Sequence, residues 1–107
     1  MLKRYKLIFS DTARDDIREI FAYIARENPQ NAEKILEKIE TKITALGFFP
    51  QKGRVVPEFL EQNIKNYREL QEYPWRIIYF LGGRNVVIAA VLDSRRDLKD
   101  LLVGKFL

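Results

Sequence analysis

Between Ala13 and Leu46 the sequence carries two apolar stripes at helical spacing, broken once by Asn28-Pro29, and this arrangement leaves few ways to fold. The first stripe is Ala13, Ile17, Ile20, Phe21 and Ile24; the second is Ala32, Ile35, Leu36, Ile39, Ile43 and Leu46. The residue before a proline is pushed out of the helical region, so the first helix stops near Glu27. Asn28 then reads as the N-cap of the second helix, with Pro29 at its first position. Ser10, followed by Asp11, has the same capping chemistry for the first helix, and Gly47 reads as the C-cap of the second. So short a link predicts an antiparallel helical hairpin whose apolar face must cover something large and flat.

Flanking segments predict a sheet to be covered. Lys3 to Phe9 alternates, with Tyr5, Leu7 and Phe9 on one face, as in a half-buried strand. Phe48 to Asn66 contains Pro50, Gly53 and Pro57 without a clear period and reads as a connecting loop, with one turn of helix around residues 57–61. Tyr67 to Glu72, Trp75 to Leu81 and Asn85 to Asp93 read as a meander turning at Tyr73-Pro74 and Gly82-Gly83. The last two strands are apolar on both faces, which predicts central positions with helices on one side. Either the tail, Leu98 to Leu107, or a partner is expected on the other. The fold class is α+β, a single domain over residues 1–107 in the order β-α-α-β-β-β. It comprises an N-terminal strand, an antiparallel helical hairpin on a mainly antiparallel four-stranded sheet, and a short C-terminal helix from Asp97.

Composition narrows the chemistry. The 107 residues include no cysteine and no histidine, which excludes disulfides, thiolate metal sites and the usual imidazole base; the sequence shows no metal-ligand cluster, and none of the functions weighed below implies a cofactor. Catalysis would run on carboxylates, arginine, lysine or tyrosine. The 19 basic and 15 acidic residues give a net charge of +4, which favours an acidic partner without identifying it. The longest apolar run, Val86 to Leu92, is far shorter than the ~20 residues of a spanning helix, so no membrane contact is expected. Met1-Leu2-Lys3-Arg4 runs straight into the first alternating segment, and the expected address is the cytoplasm.

Several local patterns carry a resemblance. Ser10, Ala13, Asp16 and Ile17 resemble the helix start "S-x-x-A-x-x-D-[IL]", and Phe49 to Glu58 resembles the loop "F-P-x-x-G-R-x-V-P-E" of the RelE/ParE superfamily of bacterial toxins. Arg68-Glu69-Leu70, the run Tyr73 to Tyr79 and the run Val91 to Leu98 are similar to its "R-E-L", "Y-R-I-x-Y" and "V-x-[HD]-x-R-R-D-L" signatures. The resemblance spans Tyr5 to Leu102 and implies the toxin of a type II toxin–antitoxin module, of the plasmid-stabilisation type, that arrests growth when its antitoxin is lost. ParE-like members poison DNA gyrase by protein–protein binding; RelE-like members cut messenger RNA on the ribosome. The ParE-like function is the expectation here, with the ribosome-dependent endoribonuclease as its alternative and a toxin reduced to an antitoxin-binding module as a third reading. The partners implied are a cognate antitoxin and gyrase, or else ribosome and mRNA, within a homodimer or a toxin–antitoxin hetero-oligomer.

Under the ribonuclease alternative, the resemblance makes Glu69 the base and Arg76 the group that stabilises the phosphorane, with Tyr79 and Arg95 as further catalytic candidates. Asp93 stands where some ribonuclease members carry histidine, and an ionised carboxylate is a poor proton donor at neutral pH. Under the gyrase reading, Arg95, Arg96, Arg76 and Arg54 are the expected target-binding residues, because a planar guanidinium suits acidic surfaces better than an ammonium. Arg76 interrupts an apolar strand, so pairing with Glu69 on the neighbouring strand is an equally weighted structural role. Ile78, Phe80, Trp75 and Leu101 are expected to meet the antitoxin.

Overall fold

A computed structural model describes residues 4–95. The two apolar stripes form the expected hairpin. Helix α1 spans Asp11–Ala25 and is capped by Ser10, whose Oγ accepts from the Ala13 N–H at 3.0 Å and donates to the Ala89 carbonyl at 2.9 Å. The cap thus also ties the helix start to the sheet. Helix α2 spans Pro29–Ala45, and the Asn28 side chain accepts from the Asn31 N–H at 3.0 Å. It ends at Leu46 rather than at Gly47. Gly47 is instead a point of close approach: its carbonyl accepts from the Tyr5 N–H at 2.7 Å, and a Cβ there would lie 3.4 Å from the Tyr5 carbonyl.

The sheet has five strands, not four. Strands β1 (Lys6–Phe9), β2 (Arg54–Val55), β3 (Tyr67–Glu72), β4 (Trp75–Gly82) and β5 (Asn85–Asp93) lie in the order β1-β5-β4-β3-β2, with helix α3 (Pro57–Leu60) between β2 and β3. The extra strand is β2, two residues that pair Arg54 with Glu69 and Val55 with Arg68, too short to display a period in sequence. The meander β3-β4-β5 is antiparallel, with a register shift between Ile78 and Tyr79, and the Tyr73-Pro74 bond in its first turn is cis. Only β1 runs parallel to its neighbour, pairing Lys6 with Asn85 and Phe9 with Ile88.

Each face of the sheet has its own core. Leu70, Trp75, Ile77, Tyr79, Val86, Ile88 and Val91 meet the hairpin through Ala13, Ile39, Ile43 and Leu46. On the opposite face Ile78, Ala90 and Leu92 pack with Val56 and Phe59, flanked by Ile64 and Tyr67. The Phe59 ring lies 4.8 Å from that of Tyr67, which in turn meets Phe80 edge-on at 5.4 Å. The cover expected from the tail or a partner is therefore supplied, over Ile78, Ala90 and Leu92, by the chain's own β2–α3 segment. The tail Leu98 to Leu107 and the helix expected from Asp97 lie outside the described residues.

Candidate functional site: an ion-pair cluster under α3

The pleat puts Glu69 and Arg76 on the same face. Glu69 is paired with Ile78 and Gln71 with Arg76, so the two charged residues are diagonal neighbours across β3 and β4. Both are buried, at 1% and 5% exposure. A buried ion requires a partner and satisfied hydrogen bonds. Arg76 Nε donates to both Glu69 oxygens at 3.1 Å, and its Nη2 makes a further close bond to Oε2. From the strand on the other side, Arg54 Nη2 reaches Glu69 Oε1 at 3.2 Å, and Gln71 Nε2 approaches the same oxygen at 3.4 Å.

The outer fork of Arg76 is taken by Glu58 in the first turn of α3. Its two bonds measure 2.6 Å from Nη1 and 2.7 Å from Nη2, a bidentate charge-assisted pair. Pro57, at the first helical position, fixes the start of that turn. These contacts hold the Glu58 carboxyl below its ordinary value, the Arg76 hydrogen bonds outweighing partial burial. They also raise the already high pKa of Arg76, with the Glu58 bonds the leading cause.

Beside this cluster the Tyr79 hydroxyl donates to the Pro50 carbonyl at 2.8 Å and accepts from the Gly53 N–H at 2.9 Å. Burial pushes its pKa up. Gly53 is required by the approach, since a Cβ there would lie 2.5 Å from the Glu69 carbonyl and 2.7 Å from the Tyr79 hydroxyl. Arg68 completes the anchor by donating to the Gly53 carbonyl at 2.7 Å.

The structure thus gathers Glu69, Arg76, Tyr79 and Arg54 at one end of the sheet, but in a closed arrangement. A general base must come within hydrogen-bond reach of a substrate proton, and Glu69 is buried with its oxygens engaged. Arg76 has both forks committed to carboxylates, the paired structural role weighed equally with a place at the target surface. Tyr79 has its hydroxyl tied to two backbone groups. Arg54, by contrast, keeps a side chain 56% exposed.

Arg95 lies apart from the cluster, beyond the end of β5. It forks onto Asp93 through Nε at 3.0 Å and Nη2 at 2.8 Å while remaining 59% exposed, and Asp93 is the leading cause of its raised pKa. Among the residues expected to meet an antitoxin, Ile78 is fully buried, Trp75 is 8% exposed and Phe80 is half-buried. The chain's own two cores cover the first two. Arg96 and Leu101 lie outside the described residues. Sequence reasoning assigned Glu58 no role; the signal was a carboxylate directly after Val56-Pro57, at a helix start opposite an arginine-bearing strand. Among the described residues no group of three or more acidic side chains could hold a metal ion, and no helix is long and apolar enough to cross a membrane.

Comparison with known proteins adds a family context. The profile described as the ParE toxin of the type II toxin–antitoxin system parDE matches residues 7–98. Toxin ParE3 of Caulobacter vibrioides is 30% identical over 84 residues, covering 78% of this chain and 80% of that protein. A chain of the chromosomal ParDE toxin–antitoxin system of P. aeruginosa superposes with a TM-score of 0.67 at 18% identity, over 85% of this chain and 97% of the other. One from the toxin–antitoxin complex RelBE2 of Mycobacterium tuberculosis gives a TM-score of 0.58 at 18% identity, over 84% and 98%. These two likenesses concern the fold.

Proposed function

The chain belongs to the ParE toxin family of type II toxin–antitoxin systems, and from that premise we propose that it acts by protein–protein binding, inhibiting DNA gyrase without chemistry of its own and neutralised by a cognate antitoxin. The observation that carries this reading is the closed ion-pair cluster. Ribonuclease chemistry on this fold would need Glu69 and Arg76 at a substrate, whereas here each is the other's partner, and Glu58 of α3 takes the outer fork of Arg76. The exposed guanidinia of Arg54 and Arg95 are then recognition groups, with Arg96 beside them in sequence. An antitoxin partner is supported by the solved relatives, which are toxin–antitoxin systems.

The test is a supercoiling assay with purified gyrase, run beside a ribosome-bound messenger. Inhibition of supercoiling with the messenger left intact, relieved by the product of the neighbouring gene, is the expected result. Cleavage of the messenger with supercoiling unaffected would establish the ribonuclease alternative instead.

A further inference from the structure

Three segments distant in sequence meet at the start of β1. The Tyr5 N–H donates to the Gly47 carbonyl at 2.7 Å and the Lys6 N–H to the Arg84 carbonyl at 3.0 Å, which brings the exit of α2 and the β4–β5 turn to the same end of the sheet. Phe48 and Phe49 stand at that corner 41% and 56% exposed. Single exposed apolar side chains are ordinary, but contiguous ones mark a binding surface. With Tyr5 and Pro50 the two rings line an open cleft of about 690 Å³, which Lys52 borders. A second cleft of about 360 Å³ shares Tyr5 and has Arg4 and Lys6 in its walls.

Charge sets this corner apart. Neither cleft has a carboxylate in its walls. The Arg4 guanidinium lies 5.5 Å from the centre of the Phe48 ring, and that of Arg84 lies 5.5 Å from the centre of the Tyr5 ring. A cation over a ring is held in position without being neutralised. The side chains of Arg4, Lys6, Lys52 and Arg84 form no ion pair with any described residue, unlike those of Arg54, Arg76 and Arg95. Uncompensated cations are thus interleaved with exposed rings.

The complementary ligand alternates negative charge with flat apolar surface. A single strand of nucleic acid has that form, since its phosphates meet the cations while its unstacked bases lie on the rings, whatever their sequence. A duplex keeps its base faces covered and would engage the charges alone. An acidic peptide also brings negative charge, but an extended peptide needs a free sheet edge, and the edge donor at this corner, the Tyr5 N–H, is held by Gly47. We propose that this corner is a binding platform for single-stranded DNA. The choice of DNA over RNA rests on the gyrase reading, whose target handles DNA; the platform itself rests on the rings and the cations.

The full chain is titrated by fluorescence anisotropy against a labelled oligodeoxythymidine of about 15 nucleotides, long enough to span a site of this kind. Phe49→Ala is expected to weaken binding about tenfold, and Phe49→Leu by a similar factor, because leucine keeps the apolar bulk and lacks the ring face. Both replace an exposed side chain, so the melting temperature should stay unchanged. Arg84→Gln and Lys52→Gln should each lower the slope of log affinity against log salt by about 0.7, whereas Lys34→Gln, exposed near the start of α2, should leave it unchanged. Equal affinity for a duplex of the same length, or full affinity in Phe49→Leu, would overturn the proposal by reducing it to the general attraction of a basic protein. Tighter binding of oligouridine, or of an acidic peptide with a central phenylalanine, would overturn the assignment to DNA. The titration contains no gyrase, so its failure leaves the functional reading to the supercoiling assay, and a negative supercoiling assay leaves the platform standing on its own titration.

Discussion

The two faces of this sheet are closed by different physics. Over the hairpin face, Ala13, Ile39, Ile43 and Leu46 meet Ile77, Tyr79, Val86 and Ile88, and the contact is almost wholly apolar. Over the other face, a short irregular segment contributes Val56 and Phe59 and shares the space with the buried pair Glu69 and Arg76 and the half-buried Glu58. Apolar burial is non-directional and tolerates small shifts, whereas a buried ion pair holds only while its geometry is complete. The hairpin face therefore supplies bulk stability, and the α3 face supplies a fixed arrangement of charge. In this toxin that fixed arrangement occupies the residues on which an enzymatic reading would depend.

The sharpest way to break the contrast is Arg76→Met, which leaves Glu69 buried with only Arg54 and Gln71 for company. It is expected to cost roughly 3–5 kcal/mol in urea unfolding, and adding Glu69→Leu should recover much of the loss, because a well-packed apolar pair replaces an ion pair at little cost. If Arg76→Met were neutral, the cluster would not be holding α3 in place. Glu58→Gln should be milder, on the order of 1–2 kcal/mol at neutral pH, since its carboxylate is partly solvated. This contribution has a defined pH window: the Glu58 carboxyl is lowered from 4.5, so its stabilisation is full above that value and is lost as pH falls below it through the lowered one. Acid unfolding curves of wild type and Glu58→Gln should accordingly converge below pH 4.5.

On the hairpin side, Ser10→Ala removes both the cap of α1 and its bond to Ala89, and about 1 kcal/mol is expected by thermal unfolding. A cost equal to that of Arg76→Met would erase the distinction between a face held by many small contacts and one held by a few directed ones. The smallest effect on stability belongs to Arg95→Ala. Its fork to Asp93 is solvent-exposed, so the melting temperature should stay unchanged. Gyrase inhibition should nevertheless fall at least several-fold under the proposed function, and undiminished inhibition would remove Arg95 from the target surface.

What could be read from the sequence follows the same division. The hairpin face was legible because periodic stripes, Ser10, Asn28 and Pro29 each act locally, and local signals survive in a linear string. The meander β3-β4-β5 was legible for the same reason, its strands bounded by proline and glycine turns. The α3 face was legible only in its single helical turn, expected over residues 57–61 and found at Pro57–Leu60. Arg54–Val55 is too short to show a period, and cover by Phe59 depends on a chain reversal after α2 that no pattern announces. The pairing of Glu69 with Arg76 could be anticipated from an arginine interrupting an apolar strand, but Glu58, distant in sequence, could not be placed. Burial decided the remainder: Ile78 and Trp75 looked available because sequence shows apolarity and not what lies over it.

The parallel pairing of β1 with β5 has a consequence for the order of events at birth. Lys6–Phe9 leaves the ribosome before every other strand of this sheet, yet its ladder partner ends at Asp93, and the Ser10 hydroxyl finds the Ala89 carbonyl 79 residues later. At roughly 5–20 residues per second, the opening strand waits several seconds for the strand that completes it. The hairpin can close on itself while the rest is being translated; the sheet cannot. A nascent chain stopped short of Asn85 has its helices but lacks β5, the strand that joins β1 to the rest of the sheet, so a truncated toxin is deprived of its finished surface by topology alone.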